Sequence, residues 1–186
     1  ILDLETSTEL LMEIKDYIKS YEDFPVKGVS FKDMASLCNS DGFELANDFF
    51  YTSLVKYTSE SFIDKVIGID ARGFIFASVF ASKTSLPLIL ARKAGKLPGE
   101  IESETYELEY GSASIEMKKD SINVKDNVII IDDLCATGGT ILAAINIVNR
   151  LGGKVAAVGS IIDLPKLGGS DKIKQKNIPF YSAVSY

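Results

Sequence analysis

The fold of this chain is decided by the stretch Val128-Ile129-Ile130-Ile131-Asp132-Asp133-Leu134-Cys135-Ala136-Thr137-Gly138-Gly139-Thr140. Its first four residues are apolar, which predicts a strand buried on both faces. Two adjacent acids follow the strand, and a Thr-Gly-Gly-Thr turn then leads onward. A helix is predicted after the turn because apolar side chains recur at helical spacing at Ile141, Ala144, Ile145 and Val148. The chain therefore runs from a strand to an acidic pair, a glycine-threonine loop and a helix.

The loop from Ala136 to Thr140 has the composition of an anion site. A loop between a strand and a helix directs backbone N–H groups and two hydroxyls to one point, where the positive end of the helix dipole adds to them. A phosphate fits that point. Asp132 and Asp133 stand too close to the anion to bind it, and they suit neutral hydroxyls or a divalent cation on the same ligand. The ligand implied is a phosphorylated sugar.

Other α/β proteins also carry acids at the end of a strand, among them receiver domains and dinucleotide-binding folds. Those proteins lack paired acids followed by Ala-Thr-Gly-Gly-Thr, the sequence from Ala136 to Thr140. A dinucleotide-binding fold would also show Gly-x-Gly-x-x-Gly directly after the strand, and none is present in this sequence.

Strands and helices are predicted to alternate through the rest of the chain. Apolar runs predict strands at Val66–Ile69, Leu88–Ala91 and Val155–Ile162. Helical periodicity predicts helices over residues 10–18, after a capping box of Thr6 and Glu9, and over residues 42–56 and 74–83. The remaining segments predict an ordered loop at 23–33, a polar loop at 92–105 and a hairpin formed by 106–110 and 114–117.

This alternation implies an α/β fold, with a parallel central sheet flanked by helices and right-handed crossovers. In such sheets ligands bind beyond the carboxyl ends of the strands. The polar segments Asp70–Gly73, Arg92–Lys96 and Asp132–Thr140 each follow a predicted strand, so we expect them to meet at one edge. At 186 residues the chain is predicted to form a single domain, residues 1–186.

The composition excludes several classes of chemistry. The chain has no histidine, which removes histidine-based triads and histidine-ligated zinc. A net charge of −6 without a basic stripe argues against a nucleic-acid partner. No apolar stretch is long enough to span a membrane and no cationic leader precedes an apolar core, so we expect a cytoplasmic protein. Cys38 and Cys135 do not predict a disulfide framework.

The cations of this acidic chain are densest beside the predicted site. Arg72 lies in the loop that follows one strand, and Arg92, Lys93 and Lys96 follow the next. A surface arginine and a solvated charged loop are the plain alternatives. Beside a phosphate loop, however, a second anion site at the same edge suits one diphosphorylated ligand. The segment 92–99 could also close as a lid that excludes water.

Five segments together resemble known enzymes. The acids Asp132 and Asp133, with the loop that follows them, resemble the signature of the type I phosphoribosyltransferases. The other four resemble the adenine phosphoribosyltransferase family in their order and spacing across nearly the whole chain. They are Asp23–Asp33, Gly68–Phe74, Arg92–Gly99 and Tyr106–Gly111.

The resemblance implies a type I phosphoribosyltransferase fold, with a small N-terminal hood largely from residues 1–40 and a flexible lid hairpin at about residues 92–117. It implies a purine salvage reaction, in which the phosphoribosyl group of phosphoribosyl pyrophosphate (PRPP) is transferred to adenine to give AMP and pyrophosphate. It also implies Mg²⁺ that is held mainly by the substrate, with no metal ligands of the protein, and a homodimer.

The resemblance further implies roles for the residues that bind PRPP. The ribose hydroxyls would be held by Asp132 and Asp133. The 5′-phosphate would be bound by Ala136, Thr137, Gly138, Gly139 and Thr140. The pyrophosphate would be contacted by Arg72, Arg92, Lys93 and Lys96, of which Arg72 also counts as catalytic.

The base has its own set of implied residues. Phe31 and Leu134 would enclose the adenine ring, and the backbone of Ser30 would read its edge, with Lys32 in the same substrate-binding segment. Glu109, with Tyr110 beside it, would be the catalytic acid–base group near the purine N7.

Two other functions stay open from the sequence. One is a phosphoribosyltransferase for hypoxanthine, guanine or another base, against which the segments 92–99 and 106–111 argue. The other is a binding protein that senses PRPP without catalysis. Such a protein usually carries an added nucleic-acid-binding part and a basic surface, and neither is visible in this acidic sequence.

Overall fold

The computed structural model describes residues 14–108 and 111–186. Its strands are β1 (Lys19–Tyr21), β2 (Phe31–Asp33), β3 (Lys65–Ile69), β4 (Leu88–Lys93), β5 (Ile101–Glu107), β6 (Ser112–Lys118), β7 (Asn127–Cys135), β8 (Lys154–Asp163) and β9 (Phe180–Ser185). Its helices are α1 (Met34–Cys38), α2 (Gly42–Glu60), α3 (Gly73–Thr84), α4 (Gly139–Arg150) and α5 (Gly169–Lys174). Residues 14–16 are also helical, whereas Tyr17 and Ile18, at the end of the helix predicted over residues 10–18, are not. The earlier part of that helix, with Thr6 and Glu9, lies outside the described residues.

Seven strands form the central sheet in the order β5-β6-β4-β3-β7-β8-β9. The five strands from β4 to β9 in this order pair in parallel, so the predicted α/β fold is confirmed. The sheet is mixed, however, because β6 pairs antiparallel with β4 and with β5. The polar loop predicted at 92–105 is therefore wrong in its second half, where Ile101–Glu107 pairs with β6 along its whole length.

The sequence did not predict the small N-terminal sheet, of which β1 lies before the predicted loop at 23–33 and β2 lies within it. Lys19–Tyr21 pairs antiparallel with Phe31–Asp33. Asp33 then caps α1, since its Oδ1 accepts the N–H of Ala35 at 2.9 Å. The hood role expected for residues 1–40 stays a prediction, as does the lid role of residues 92–117.

Strand β7 is buried on both faces, as predicted. Ile129 and Ile131 pack into the core on the side of α2 and α3, and Val128 and Ile130 pack into the core on the side of α4. Because alternate side chains of a strand point to opposite faces, each face of the sheet has a core of its own. No helix within the described ranges is long and apolar enough to cross a membrane.

The connections place a crevice between β3 and β7. From β3 the chain passes through α3 to β4 on one side, and β7 pairs with the other side of β3. The loops that follow two such neighbouring strands diverge and leave room for a ligand beyond their carboxyl ends. Asp70 follows β3, and the acidic pair lies near the carboxyl end of β7, which continues to Cys135 and does not end before the acids as predicted. The polar segments therefore meet there.

Candidate active site

Two adjoining cavities open at this edge of the sheet. The larger, of about 470 Å³, is lined by the strand-end residues Asp70, Ala71, Arg72, Lys93 and Asp133 among others. The smaller, of about 230 Å³, is lined by the loop from Ala136 to Thr140. The two form one continuous site because both are lined by Tyr106, Leu108, Asp132, Leu134 and Thr140.

The loop between β7 and α4 turns at Gly138, whose φ is +79°. Glycine adopts this left-handed conformation without the steric cost that a Cβ brings. The N–H of Leu142 donates to Gly138 O at 2.8 Å, so α4 begins directly at the loop. The first N–H groups of a helix lack partners within it, and here they belong to the lining of the smaller cavity.

A distant segment supports this loop through its backbone. Gly169, the first residue of α5, donates its N–H to Ala136 O at 3.0 Å. A Cβ at Gly169 would lie 2.4 Å from Ala136 O and 2.6 Å from Gly138 N, so only glycine fits there. Lys172 Nζ adds a contact with Thr137 O at 3.4 Å. The sequence pattern predicted no role for Gly169, although the pair Gly168-Gly169 marks a turn.

The acidic pair is buried at the floor of the site. Asp132 and Asp133 are 8% and 6% exposed, and Asp132 Oδ1 accepts the N–H of Asp133 at 2.8 Å. Arg72 Nε lies 2.7 Å from Asp133 Oδ2 as an ion pair without hydrogen-bond geometry. That oxygen therefore has no hydrogen-bond partner among the residues described, and a ligand hydroxyl can supply one.

Burial raises the pKa of Asp132 well above its usual range, and the carboxylate of Asp133 adds to the rise. The close approach of α3 explains the burial. A Cβ at Gly73 would lie 2.9 Å from both Asp132 Oδ1 and Ile131 O, so the first turn of α3 packs directly against the end of β7. The charge of Arg72 opposes the rise only in part.

The cations at the end of β4 and shortly after it surround one buried carboxylate, for which the sequence predicted no role. Asp70 has a side chain that is 4% exposed, and its Oδ2 lies 3.2 Å from Arg92 Nε and 3.8 Å from Lys96 Nζ. The same oxygen accepts the N–H of Lys93 at 3.4 Å. Lys93 lines the larger cavity together with Arg72, whereas Arg92 and Lys96 line neither cavity and are held at its edge by Asp70.

The predicted base-binding residues of the N-terminal sheet also line neither cavity. Ser30 Oγ donates to Glu22 Oε1 at 2.6 Å, and Lys32 Nζ donates to Ser30 Oγ at 3.1 Å. Phe31 approaches the site through Arg72, whose Cζ lies 5.9 Å from the centroid of its ring. Leu134, the other residue predicted to enclose the base, lines both cavities.

The hairpin of β5 and β6 forms the wall opposite the acids. Tyr106 lies directly against the phosphate loop, since a Cβ at Gly139 would be 2.8 Å from Tyr106 Cδ2. Tyr106 and Leu108 line both cavities, although sequence analysis assigned neither a role. Glu109 and Tyr110, which follow them, lie outside the described residues, so their predicted roles stay predictions.

Cys135 lies at the start of the loop and belongs to the core. Its side chain is 1% exposed, and burial raises the pKa of the thiol to about 12, with the carboxylates of Asp163 and Asp132 adding to the rise. A thiol with so high a pKa stays protonated at neutral pH and is a poor nucleophile. Cys135 therefore acts as a packing residue.

Fold and site together define a phosphoribosyltransferase. The family described as the phosphoribosyl transferase domain matches residues 45–182. The match includes the acidic pair, the phosphate loop and the strands that carry them.

Comparison with individual proteins narrows the class. An adenine phosphoribosyltransferase of Yersinia pestis (strain Pestoides F) is 42% identical over 184 residues, which cover 97% of this chain and 95% of the relative. The crystal structure of the Saccharomyces cerevisiae enzyme, complexed with D-2,5-dideoxy-2,5-imino-altritol 1,6-bisphosphate and adenine, superposes with a TM-score of 0.88 at 34% identity, covering 95% of this chain and 99% of that one. The Trypanosoma brucei enzyme, in complex with AMP, pyrophosphate and ribose-5-phosphate, superposes with a TM-score of 0.85 at 26% identity, covering 99% and 82%. The chain belongs to the adenine phosphoribosyltransferase family, which confirms the predicted family and enzyme class.

The contact of α5 with the phosphate loop predicts the effect of Gly169→Ala. The added Cβ clashes with backbone atoms of Ala136 and Gly138, so the phosphate loop must move. Its N–H groups then no longer point to the same phosphate position. We expect the affinity for ribose 5-phosphate, measured by titration calorimetry, to fall by about tenfold or more. Gly168→Asn is the control, since asparagine tolerates the φ of +76° and nothing lies within 4 Å of a Cβ there. Equal affinity of the two variants would contradict the supporting role of Gly169.

The raised pKa of Asp132 predicts that this side chain destabilises the folded protein at neutral pH. An acid whose pKa is higher in the folded than in the unfolded state lowers the free energy of unfolding as pH rises from about 4 through the folded pKa. Asparagine cannot ionise. We therefore expect Asp132→Asn to have the higher free energy of unfolding at pH 7 and to lose that advantage near pH 4, in urea titrations across this range. Asp120→Asn, at an exposed position, is the control. A less stable Asp132→Asn at pH 7 would contradict the assignment.

Proposed function

We propose that this chain transfers the phosphoribosyl group of PRPP to adenine in purine salvage, giving AMP and pyrophosphate. The observation that carries the proposal is the buried pair Asp132 and Asp133 beside a loop that opens onto a helix N-terminus, in one continuous site with Arg72 and Lys93. The site suits a sugar with one phosphate at the loop and a second anionic group near the cations. The bisphosphate and adenine bound by the yeast relative, and the products bound by the trypanosome relative, support this reading.

The ribose binds with its hydroxyls on the acids and its 5′-phosphate in the loop. The open acceptor position of Asp133 Oδ2 takes a hydroxyl, and Arg72 Nε lies beside it at 2.7 Å. The phosphate accepts hydrogen bonds from the loop N–H groups and from the hydroxyls of Thr137 and Thr140, at the positive end of α4. The anchored sugar then has its anomeric carbon in the larger cavity.

Loss of pyrophosphate from the anomeric carbon gives a transition state that resembles an oxocarbenium ion. Positive charge develops on the sugar while the leaving group gains negative charge. Arg72 and Lys93 line the cavity where the leaving group develops, and Asp70 holds Arg92 and Lys96 at its edge. Their combined positive potential stabilises the leaving pyrophosphate.

Mg²⁺ fits this site as a companion of the substrate. Within residues 14–108 and 111–186, no three His, Cys, Asp or Glu side chains are grouped to hold a metal ion. The carboxylates Asp132 and Asp133 lie where the sugar hydroxyls would bind, so oxygens of PRPP would be the main ligands of the ion. When bound, it supplies positive charge that stabilises the leaving group.

The base binds beside Leu134, with Phe31 closing over it from the N-terminal sheet and the Ser30 backbone reading its edge. Glu109 accepts the proton that adenine loses near N7, and Tyr110 contributes to substrate binding beside it. Tyr106 and Leu108 close the site from the hairpin side and limit the access of water to the cation. The homodimer and the cytoplasmic location stay predictions.

The reaction is tested by measuring AMP and pyrophosphate from PRPP and Mg²⁺ with adenine, hypoxanthine and guanine in parallel, each with and without EDTA. We expect turnover of adenine alone, abolished by EDTA, and a large loss of turnover in Asp133→Asn. Turnover of another base would leave the mechanism unchanged and overturn the assignment of adenine as the base. Ser30 would then be the first residue to test for its effect on base selectivity. Tight PRPP binding without turnover of any base would favour a sensor.

The role of Glu109 is tested by Glu109→Gln. If this carboxylate accepts a proton in the transition state, we expect kcat to fall by about a hundredfold while the KM for PRPP changes little. Glu107→Gln is the matched control, because Glu107 is an exposed carboxylate of the same hairpin. An unchanged kcat in Glu109→Gln would leave Glu109 as an ordinary surface carboxylate.

A further inference from the structure

Strand β5 meets helix α4 through every second side chain. Glu102 Oε1 accepts a hydrogen bond from Arg150 Nε at 2.7 Å, and Glu104 Oε2 accepts one from Arg150 Nη1. Asn146 Nδ2 donates to Glu104 Oε1 at 3.0 Å. The side chains between them, Ser103 and Thr105, are exposed, as expected where one face of a strand packs against a helix.

The same face of β5 ends at the phosphate loop. Two residues beyond Glu104, Tyr106 lies against Gly139, the first residue of α4. Arg150 is the last residue of that helix, so the strand and the helix run in opposite directions. From Glu102 to Tyr106 a strand extends about 13 Å, and from Gly139 to Arg150 a helix extends about 16 Å. The strand segment is about 3 Å shorter than the helix, and the long side chain of Arg150 reaches back over that distance to Glu102.

Besides the contact of β5 with α4, the hairpin is held by β6, whose side chains Ile115 and Met117 are buried in the core on the side of α4. Strand β6 pairs with β4 at only two positions, Arg92↔Glu116 and Lys93↔Ile115. Strand β5 is the edge strand, with β6 as its one neighbour in the described sheet. The half of the hairpin that carries Tyr106 and Leu108 therefore projects beyond β4 toward the site, and there β5 contacts α4 through its side chains.

We propose that Arg150 is a positioning residue for the phosphate end of the active site. By binding Glu102 and Glu104 together, it fixes the register of β5 on α4, so that Tyr106 covers Gly139 and, with Leu108, forms the wall of the phosphate cavity. This inference rests on the proposed function, because it assigns the smaller cavity to the 5′-phosphate of PRPP. Arg150 touches no substrate and acts through the hairpin.

The geometry of the guanidinium suits this role. Besides its two carboxylate partners, Arg150 donates from Nη2 to the backbone O of Ser103 at 2.7 Å, so three of its N–H groups bind successive positions of one strand. A single exposed ion pair contributes little, but a planar fork with several partners at defined positions discriminates one register from the next. The hydrogen bond from Arg150, with that from Asn146, also lowers the pKa of Glu104.

The test is the steady-state and binding behaviour of Arg150→Met, which keeps the length of the side chain and removes its charge and its donors. We expect the KM and the calorimetric Kd for PRPP to rise about tenfold while the KM for adenine changes less than twofold. Amide hydrogen exchange over residues 102–108 should become faster. Lys83→Met is the matched control. Lys83 of α3 forms an ion pair with Asp48 of α2 at 3.1 Å, on the other face of the sheet from α4, and its side chain is about as exposed as that of Arg150.

The two carboxylates that bind Arg150 allow a second, independent test. Glu102→Gln with Glu104→Gln should reproduce the rise in the Kd for PRPP, and adding Arg150→Met to that pair should raise it no further. If Arg150→Met does not fold, this pair alone decides the question. A Kd for PRPP equal to that of Lys83→Met, or a fall in kcat with both KM values unchanged, would overturn the inference. A wild-type chain that fails to bind PRPP would instead refute the proposed function.

Discussion

The site depends on the burial of β7, which includes the two acids near its carboxyl end. Asp132 lies between the first turn of α3 and the loop before α4, and the contact at Gly73 removes water from its carboxylate. A buried charge of this kind is costly unless it has partners, and here they are the N–H of Asp133 and the nearby charge of Arg72. Asp133 Oδ2 is left with an acceptor position open. The free-energy cost of burying these carboxylates therefore falls at the site itself, where the hydroxyls of a bound sugar would lower it by donating hydrogen bonds.

The same logic explains how an acidic chain can attract an anionic substrate. The net charge is −6, but the cations at this edge are held in place by carboxylates that are themselves buried. Asp70 binds Arg92 and Lys96, and Asp133 pairs with Arg72. Each buried carboxylate lowers the net local charge while fixing where a guanidinium or ammonium group lies. The result is an ordered set of donors rather than a diffuse positive surface.

The sequence predicted those parts of the fold whose signal is local. Strand β7, the glycine-threonine loop and α4 follow from apolar periodicity and loop composition over a short stretch, and the structure confirms them. The predicted hairpin is present, but its first strand, β5, begins at Ile101 and not at Tyr106. The inward face of β5 carries Glu102 and Glu104, so polar contacts with α4 replace the apolar alternation that marks a strand. Gly169 was missed because its reason lies in another segment: it is glycine to avoid the backbone of Ala136 and Gly138. A contact between segments that are far apart in the chain leaves no mark in the local spacing of residues.

The two ends of the site are fixed by different kinds of contact. At the phosphate loop, backbone meets backbone: Gly169 packs on Ala136 and Gly138, and Tyr106 packs on Gly139, so little side-chain freedom remains. At the other end, Arg72 and Lys96 are 43% and 49% exposed and are held by single carboxylates that a ligand can replace as partners. A rigid end loses little conformational entropy on binding a phosphate, whereas an adjustable end can follow a group whose charge and position change during a reaction. For a reaction in which one phosphate stays and the other group leaves, this division places rigidity and adaptability where each is useful.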